Sequence, residues 1–492
     1  MVREQYECLR SGQDLRQNLI ALKQILKEEG ARRELLKILA GDYSILTGFL
    51  SESDPKVRKN AAIVLGRLKQ RENVLPLYEA YLRETQLFVK SDYLKALAEL
   101  DYSECKDSLN KDLENLEQYQ PKEEEEKHIR EELTALRRLV NTGNFHQRHK
   151  FCGYDETWEL ILTTGKKYQE ITAAQVKGGE VSLLKSGVRV ITSHLKPILE
   201  IPTYHEILFP LKLRKIFGEP KEVAKALAES DLLRLLDKAH KAKDAFYFRL
   251  GLHSPKTLEQ RSAFTKKCAF ALEQQTAGKL KNSASDYELE IRLIENRSGQ
   301  FLPLVKLYTF TEERFFYRKH TIASSIRPEQ AALIVRLAKP YLKEQAQILD
   351  PFCGVGTMLI ERDRLCQAGM MYGIDIFGEA IAKARENTQL ADREIYYINR
   401  DFFDFSHKYL FDEILTDMPC RGKKTKEEHD QFYQAFFEKA GEVLAEQGKM
   451  ILYSNEKNYV KKQLRLHKQF SLLKEYSMDE KERYYLFIIE KQ

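Results

Sequence analysis

Apolar residues follow three different spacings along this chain. Residues 14 to about 140 place Leu, Lys and Glu at three- and four-residue intervals and lack strand alternation, which predicts stacked amphipathic helices. Residues 153 to about 316 are mixed, with strands predicted at 158–163, 188–192, 245–250 and 286–293, a helix at 219–239 and a basic helix after residue 250. From residue 322 onward, short apolar strands alternate with helices, a pattern typical of a parallel sheet covered by helices.

The helical region contains an internal repeat. Shifting the chain by 32 residues aligns five identical pairs: Leu50/Leu82, Glu52/Glu84, Val57/Val89, Leu65/Leu97 and Leu68/Leu100. The segment 54–58, Asp-Pro-Lys-Val-Arg, followed by the apolar run 61–66, resembles a HEAT repeat. The resemblance implies three or four stacked repeats that dock a protein partner or serve as structural support, with a last helix beginning near Pro121. The Glu run 123–126 fits either the first turn of that helix or a solvated face.

Composition narrows the class of protein. The 492 residues suggest about three domains, and 43% hydrophobic residues with ordinary Gly and Pro contents exclude disordered and collagen-like chains. The start of the chain is charged and no apolar run approaches 18 residues, so we expect a cytoplasmic protein without signal peptide or membrane span. Seven cysteines without a CxxC pair suggest reduced thiols.

The net charge of +6 is concentrated in the middle of the chain. Residues 1–144 hold 24 basic and 26 acidic side chains, residues 145–325 hold 30 and 21, and residues 326–492 hold 26 and 27. The middle region therefore carries +9, which indicates either an ordinary solvated surface or a domain that binds a polyanion such as RNA.

A possible metal motif lies at the start of this basic region. His146, His149 and Cys152 have a spacing that suggests zinc, but structural zinc takes four ligands and no fourth candidate lies nearby. We therefore favour a positively charged linker and expect no metal.

The order of elements that follows resembles the end of a THUMP domain, the RNA-binding module of several tRNA and rRNA modification enzymes. The resemblance covers about 70 residues and depends on the strand Asp-Tyr-Glu-Leu-Glu-Ile-Arg at 286–292. It implies an α+β domain that binds RNA, to which we assign the basic helix residues Arg261, Lys266 and Lys267.

The C-terminal third contains a glycine loop between a strand and a helix. The strand 347–350 ends in Asp350, and Pro351 to Gly356 form a turn that opens a helix at Thr357. The next strand ends in Asp375, where a carboxylate can accept hydrogen bonds from ribose hydroxyls. Dinucleotide binding would require a third glycine at 359, which is Leu.

The string Asp-Pro-Phe-Cys-Gly-Val-Gly-Thr at 350–357 resembles motif I of S-adenosylmethionine-dependent RNA methyltransferases that carry THUMP domains. The resemblance extends over residues 322 to about 455, including the segments 325–332 before the motif and 380–387 after the ribose acid. It implies S-adenosyl-L-methionine as cofactor, with methionine at Gly354 and Gly356, ribose at Asp375 and adenine at Asp401 and Phe402. The full set of cofactor-binding residues that we expect is Asp350, Phe352, Gly354, Gly356, Thr357, Asp375, Ile376, Asp401 and Phe402.

The catalytic motif should follow the fourth strand of this domain. There stands Asp417-Met418-Pro419-Cys420, where the family has Asp or Asn, any residue, Pro and an aromatic. A carboxylate and a backbone carbonyl that accept the protons of an amine align its lone pair for methyl transfer. We expect Asp417, Pro419 and Cys420 to be the catalytic residues.

Cys420 departs from the family pattern, because the aromatic residue at that place stacks on the target base. Phe432, Tyr433 or Tyr453 could take over this role. The string also resembles a motif of RNA cytosine-C5 methyltransferases, which need a second cysteine after the next strand; residues 451–455 contain none. Arg421, Lys423 and Lys424 are candidates for RNA backbone contacts.

Together these patterns predict an α/β protein with three domains. They are a HEAT-like all-α array at 1–144, a THUMP-like α+β region at 145–320 and a class I Rossmann-like methyltransferase domain at 321–492. The resemblance implies methylation of the exocyclic N2 amine of guanosine in tRNA, with rRNA or another amine second. Cytosine-C5 methylation, a protein substrate and a non-catalytic scaffold that binds cofactor remain open.

Overall fold

The computed structural model describes residues 2–141, 149–213, 216–242, 244–422, 424–479, 481 and 483–492. They belong to two units, one formed by residues 1–148 and 270–286 and the other by residues 149–269 and 287–492. The segment 270–286 thus belongs with the N-terminal residues, an arrangement that local patterns do not reveal.

The described part of residues 1–148 contains only helical elements. The α-helices are α1 Val2–Arg10, α2 Leu15–Ile25, α3 Glu29–Leu39, α4 Ser44–Gly48, α5 Pro55–Leu68, α6 Val74–Arg83, α7 Leu87–Leu97, α8 Lys106–Gln118 and α9 Glu126–Asn141. Asp54 caps α5 by accepting the N–H of Lys56 at 2.8 Å, and Pro55 occupies its first position.

The 32-residue repeat corresponds to α5 and α7. These helices pack against each other, α5 also packs on α2, and α7 packs on α9. The repeated positions Val57, Val89, Leu65 and Leu97 are all buried. The helical prediction is therefore confirmed for this region, whereas the assignment of the pairs to the HEAT family stays a prediction.

The last helix of this array begins later than the sequence suggests. The prediction placed its start near Pro121, but α9 starts at Glu126. Glu125 accepts hydrogen bonds from the N–H of Lys122 at 2.9 Å and from the hydroxyl of Tyr119 at 3.0 Å, which forms a turn before the helix. Of the Glu run 123–126, only Glu126 lies in the first helical turn.

Residues 149–307 form a mostly antiparallel sheet with short helices. The strands are β1 Trp158–Thr163, β2 Glu180–Leu184, β3 Gly187–Thr192, β4 Ile207–Pro210, β5 Phe246–His253, β6 Leu280–Asn282, β7 Leu289–Glu295 and β8 Phe301–Leu307; β6 belongs to the first unit. The helices are α10 Gln169–Ala173, α11 Leu195–Leu199, α12 Pro220–Ala228, α13 Leu232–His240 and α14 Leu258–Gln275. The order within the second unit is β2-β3-β1-β4-β8-β7-β5, and only β5 and β7 pair in parallel.

The predicted helix 219–239 is two helices in the structure. Ser230 separates them, because its hydroxyl donates to the carbonyl of Leu227 at 2.6 Å and accepts the N–H of Leu232 at 3.1 Å. Side-chain bonds of this kind compete with the helical hydrogen-bond pattern.

The C-terminal sheet is covered by helices on both faces. Its strands are β9 Gln347–Asp350, β10 Met370–Asp375, β11 Tyr396–Asn399, β12 Phe411–Asp417, β13 Leu444–Ser454, β14 Phe470–Asp479 and β15 Tyr484–Lys491. The helices are α15 Pro328–Ala338, α16 Thr357–Leu365, α17 Gly378–Leu390, α18 Lys426–Val443 and α19 Lys457–Leu466.

The strand order is β11-β10-β9-β12-β13-β15-β14, and all pairs are parallel except those of β15. Alternate residues of the same strands enter two separate cores: Leu349 and Ile414 pack on one face, Ile348 and Leu415 on the other. This is the doubly wound, Rossmann-like fold that the sequence predicts. Chain order reverses between β9 and β12, the place where such sheets bind ligands.

None of the helices in the described ranges combines the length and apolar character that crossing a bilayer requires.

Candidate active site

Three neighbouring strands of the C-terminal sheet each end in an aspartate. Asp350, Asp375 and Asp417 are the last residues of β9, β10 and β12, and β9 lies between the other two. Because parallel strands present their carboxyl ends at one edge, the three carboxylates meet where the chain order reverses.

The loop after β9 is tied to the end of β10. The N–H of Cys353 donates to the carbonyl of Ile374, and the N–H of Gly354 donates to Asp375 Oδ2, both at 2.9 Å. Gly356 has a φ of +83°, and a Cβ at this residue would lie 2.1 Å from the hydroxyl of Tyr397. Residue 356 must therefore be glycine both for its backbone conformation and for space.

Asp375 keeps hydrogen-bonding capacity for a ligand. Each of its oxygens accepts one backbone N–H, from Gly354 and from Phe377, both at 2.9 Å. A carboxylate offers about four lone-pair positions, so both oxygens can accept further bonds from hydroxyl groups. The two backbone bonds fix its orientation toward the cavity.

Asp350 is a buried carboxyl with an elevated pKa. Its Oδ1 accepts the hydroxyl of Thr416 at 2.7 Å and the N–H of Phe352 at 3.1 Å. Burial raises its pKa to about 7 against the opposing effect of these bonds, and the negative charges of Asp417 and Asp375 add to the increase. A cation bound nearby would favour the ionised form.

Asp417 stands at the same edge with its carboxylate turned to the cavity. Burial raises its pKa to about 7, and no described residue donates a hydrogen bond to its side chain. The N–H of Met418 donates a hydrogen bond to the carbonyl of Tyr453 at 2.9 Å, and this bond fixes the start of the loop. The backbone next to Asp417 is therefore held in place while the carboxylate oxygens remain available as acceptors.

These groups line a cavity of ≈ 920 Å³. Twelve of the predicted site residues contribute to its wall: Asp350, Phe352, Gly354, Thr357, Asp375, Ile376, Asp401, Phe402, Asp417, Pro419, Cys420 and Lys424. Such a volume is within the range of cofactor pockets, about 300–1,000 Å³.

The other predicted residues have different places. Gly356 lies behind the wall against Tyr397, and Arg421 does not line the cavity. Lys423 lies outside the described residues. Arg261, Lys266 and Lys267 belong to α14 and are absent from the cavity wall; the two lysines are exposed and Arg261 is half-buried.

Part of the wall comes from residues that the sequence analysis missed. Tyr168 donates its hydroxyl to the carbonyl of Ser477 in β14 at 3.2 Å. The residues of this group that line the cavity are Thr164, Gly165, Lys167, Tyr168, Thr172, Thr203 and His205. His205 Nδ1 lies 3.3 Å from Glu329 Oε1 at the start of α15. These residues form no local motif that could be found in the sequence. Contacts between residues far apart in the chain bring them to the site.

The chemistry of the wall fits a cationic cofactor with a sugar and an aromatic base. Five aspartates line the cavity, at positions 350, 375, 401, 417 and 479. The Oγ1 atom of Thr357 is buried at the start of α16 and has no hydrogen-bond partner among the described residues, so a ligand could supply one. S-adenosyl-L-methionine has the matching sulfonium, ribose and adenine groups.

The described residues contain no cluster of three or more His, Cys, Asp or Glu side chains suited to a metal ion. Of the motif considered above, His149 instead bonds to Glu288 at 2.9 Å, and Cys152 is an exposed free thiol. His146 lies outside the described residues.

Cys420 is an exposed thiol whose Sγ lies 3.4 Å from the hydroxyl of Tyr484. Of the aromatic residues considered as its substitutes, Tyr433 is fully buried and bonds to Ser454 at 2.7 Å, which removes it as a base-stacking group. Phe432 and Tyr453 line the cavity.

Known proteins resemble this chain in both sequence and fold. Residues 316–483 match the family model UPF0020, described as RMKL-like, methyltransferase domain. The tRNA (guanine(10)-N2)-dimethyltransferase of Methanothermobacter thermautotrophicus is 30% identical over 186 residues, which is 36% of this chain and 52% of that relative. The match therefore spans about half the length of the curated relative.

Solved structures share the fold over a longer stretch. TrmN from Thermus thermophilus superposes on 68% of this chain and 99% of its own, with a TM-score of 0.51 and 19% identity. SMU.472, solved as a complex with SAH, covers 68% of this chain and 98% of its own, with a TM-score of 0.51 and 14% identity. At these identities the likeness shows the fold, and residues 316–483 match a methyltransferase domain. The bounds 321–492 that the sequence suggested for this domain stay a prediction.

Proposed function

We propose that this chain is an S-adenosylmethionine-dependent RNA methyltransferase that methylates the exocyclic N2 amine of a guanosine in tRNA. The observation that carries the proposal is the Asp417 carboxylate, which stands with free acceptor oxygens beside the glycine loop and Asp375 in one cavity. The family match supports methyl transfer, and the name of the 30% identical relative supports tRNA guanine N2 as the target.

The proposed roles follow the chemistry of each group. Gly354 and Gly356 let the loop approach the methionine part of the cofactor, Asp375 binds the ribose hydroxyls, and Asp401 with Phe402 binds the adenine. When bound, the cofactor would supply a methyl group on a positively charged sulfur; the carbon–sulfur bond would break as the nitrogen–carbon bond forms, and the sulfur would leave as a neutral thioether. Asp417 accepts an N–H of the amine, which directs the nitrogen lone pair at the methyl carbon, and takes up the proton that the nitrogen releases.

The other regions fit an RNA substrate. The +9 charge of residues 145–325 supports RNA binding by a THUMP-like domain over residues 145–320, in which Arg261, Lys266 and Lys267 contact phosphates. Arg421, Lys423 and Lys424 would do the same beside the catalytic loop. The HEAT-like helices of residues 1–144 would dock a protein partner, and we propose the cytoplasm as the location.

The cytosine-C5 alternative has less support. That chemistry needs two thiols at the site, one to attack the base and one to release it, and Cys420 is the thiol that follows Asp417. Cys353 also lines the cavity, but burial raises its pKa well above that of a free thiol, which disfavours the reactive thiolate.

Transfer assays with the purified full chain test the proposal directly. Radiolabelled S-adenosylmethionine is incubated with separate tRNA and rRNA pools, using the wild type, Asp417→Ala and the control Glu438→Ala, an exposed change on α18. We expect label in N2-methylguanosine of tRNA, a loss of about 100-fold or more in Asp417→Ala, and wild-type rates in the control.

Calorimetry separates chemistry from binding. Asp417→Ala should keep the cofactor dissociation constant within about twofold, because Asp417 acts on the amine. Loss of cofactor binding in this variant would show that its role is assigned wrongly. Label in rRNA alone would move the substrate to rRNA, and no label in either pool would reject the RNA reaction.

A further inference from the structure

The part of the cavity beyond Asp417 has an aromatic wall that no motif predicts. Tyr453 pairs in register with Asp417, from β13 to β12, and Tyr484 is the first residue of β15. The rings of Tyr453 and Tyr484 stack with centroids 4.8 Å apart and planes at 16°. Both rings line the cavity, so a flat aromatic surface lies close to the carboxylate.

The two tyrosines differ in how much of the ring a ligand can reach. Tyr453 is buried, with 8% of its surface exposed. Burial raises the pKa of its hydroxyl, and the negative charge of Asp417 adds to the increase. Tyr484 lines the same cavity and is half-buried. Tyr453 thus supports Tyr484 through the stack, and Tyr484 is the more exposed ring of the pair.

Phe432 is less suited to receive a base beside Asp417. Its ring packs against Phe352 of the glycine loop at 5.4 Å and against Phe403 at 5.6 Å, which places it toward the proposed adenine side. The ammonium of Lys424 lies over the ring at 4.6 Å, so one face is already in use.

Cys420 and Tyr484 meet at the tip of the catalytic loop. The Sγ atom lies 3.4 Å from the tyrosine hydroxyl, so the end of the Tyr484 side chain lies directly against the side chain at 420. A large aromatic side chain at 420 would compete for the same space. The small side chain at 420, where the family has an aromatic residue, therefore fits together with the tyrosine at 484.

We propose that Tyr484 is the residue on which the target base stacks during methyl transfer, in place of the aromatic residue that Cys420 replaces. This inference rests on the proposed RNA methyltransferase function. A base taken out of its own stack loses contacts on both faces, and an aromatic side chain restores one of them for any base. Stacking on Tyr484 also holds the exocyclic amine near Asp417, which aligns it for transfer.

Steady-state kinetics with tRNA test this role. Tyr484→Ala should lower kcat/KM for tRNA by about 10- to 100-fold, the range expected for loss of one base–aromatic stack, with the cofactor dissociation constant unchanged. Tyr484→Phe keeps the ring and should stay within about twofold of wild type. Tyr485→Ala is the matched control, because Tyr485 does not line the cavity and packs against Phe487.

A compensating exchange gives a second, independent readout. Adding Cys420→Phe to Tyr484→Ala returns an aromatic ring to the loop and should recover most of the lost kcat/KM, whereas Cys420→Phe alone should lower it by crowding Tyr484. Melting temperatures confirm that each variant is folded.

The outcomes separate this inference from the proposed function. Activity of Tyr484→Ala within twofold of wild type, or a double variant no better than Tyr484→Ala, would overturn the role of Tyr484 while the methyltransferase reaction stands. A wild-type protein that methylates no RNA would instead reject the proposed function itself.

Discussion

Asp417 and Asp350 are two carboxyl groups at the same sheet edge with similar pKa values and different surroundings. Burial raises the pKa of each to about 7, but Asp350 is held by Thr416 and Phe352 whereas Asp417 has free oxygens. Asp350 therefore shapes the loop and its electrostatics, and Asp417 is the group that can act on a substrate.

The raised pKa of Asp417 leads to a prediction about pH. Below pH 7 its carboxyl is protonated and a weaker acceptor, so kcat should rise with pH through about 7 and level off above it. Asp417→Asn keeps an acceptor oxygen but does not titrate; it should be slower and show no such rise. Rates measured from pH 5.5 to 9 at saturating substrates check this. A rise near pH 7 that persists in Asp417→Asn would assign the titration to Asp350.

The placement of three aspartates at one sheet edge was the part of the candidate site that the sequence predicted best. The aspartates at 350, 375 and 417 each follow a short apolar strand, so their place at one edge follows from the parallel order. Tyr484 and His205 could not be predicted in this way, because they reach the cavity through strand pairing and loop contacts between residues far apart in the chain.

At the scale of elements, the glycine loop is the segment with the strictest local requirements. Gly354 and Gly356 both have positive φ, +52° and +83°, but only Gly356 is also crowded, since a Cβ there would meet the Tyr397 hydroxyl. Around Gly354 a Cβ would meet nothing within 4 Å. A side chain at residue 354 would thus cause backbone strain only, whereas a side chain at residue 356 would cause both backbone strain and steric overlap.

Alanine substitutions should reveal this difference. Gly354→Ala should destabilise the protein by about 1–2 kcal/mol through strain alone, and Gly356→Ala by about 2–4 kcal/mol because overlap is added. Urea unfolding of both variants without cofactor is the measurement. Equal losses of stability, or a larger loss in Gly354→Ala, would contradict the geometry of the loop.

Elements with their own capping residues or apolar runs were predicted closely, and elements defined by distant partners were not. The start of α5 is set by Asp54 and Pro55, and β1 coincides with its predicted range. By contrast, β15 enters the sheet antiparallel between β13 and β14, and nothing in its own residues reveals that neighbour. The break between α12 and α13 is made by hydrogen bonds of the Ser230 side chain. The regular spacing of apolar residues on both sides of Ser230 nevertheless predicted one continuous helix.

At the scale of the whole molecule, charge distribution gives support for an RNA substrate that does not depend on any family. The +9 excess lies in residues 145–325, whereas the regions before and after carry −2 and −1. Lys266 and Lys267 are exposed on α14 and available for phosphate contacts. For binding through such contacts, the logarithm of the binding constant falls linearly with the logarithm of the salt concentration.

Charge reversal at this helix should change the salt dependence of RNA binding. Lys266→Glu with Lys267→Glu should weaken tRNA binding and reduce the slope of log K against log salt by about 1–2, since each phosphate contact contributes about 0.7–0.9. Lys37→Glu with Lys111→Glu, two exposed lysines of the helical array, is the matched control. An unchanged slope in the first pair would place the RNA contacts elsewhere.

The modified nucleoside itself is the most direct readout of what the protein does. Nucleoside mass spectrometry compares tRNA and rRNA fractions from cells with and without the gene, and from cells in which Asp417→Ala replaces the wild type. We predict that N2-methylated guanosine is reduced in tRNA of the deleted and Asp417→Ala cells and unchanged in rRNA. Identical methylated nucleosides in both fractions of all three strains would contradict an RNA methyltransferase function.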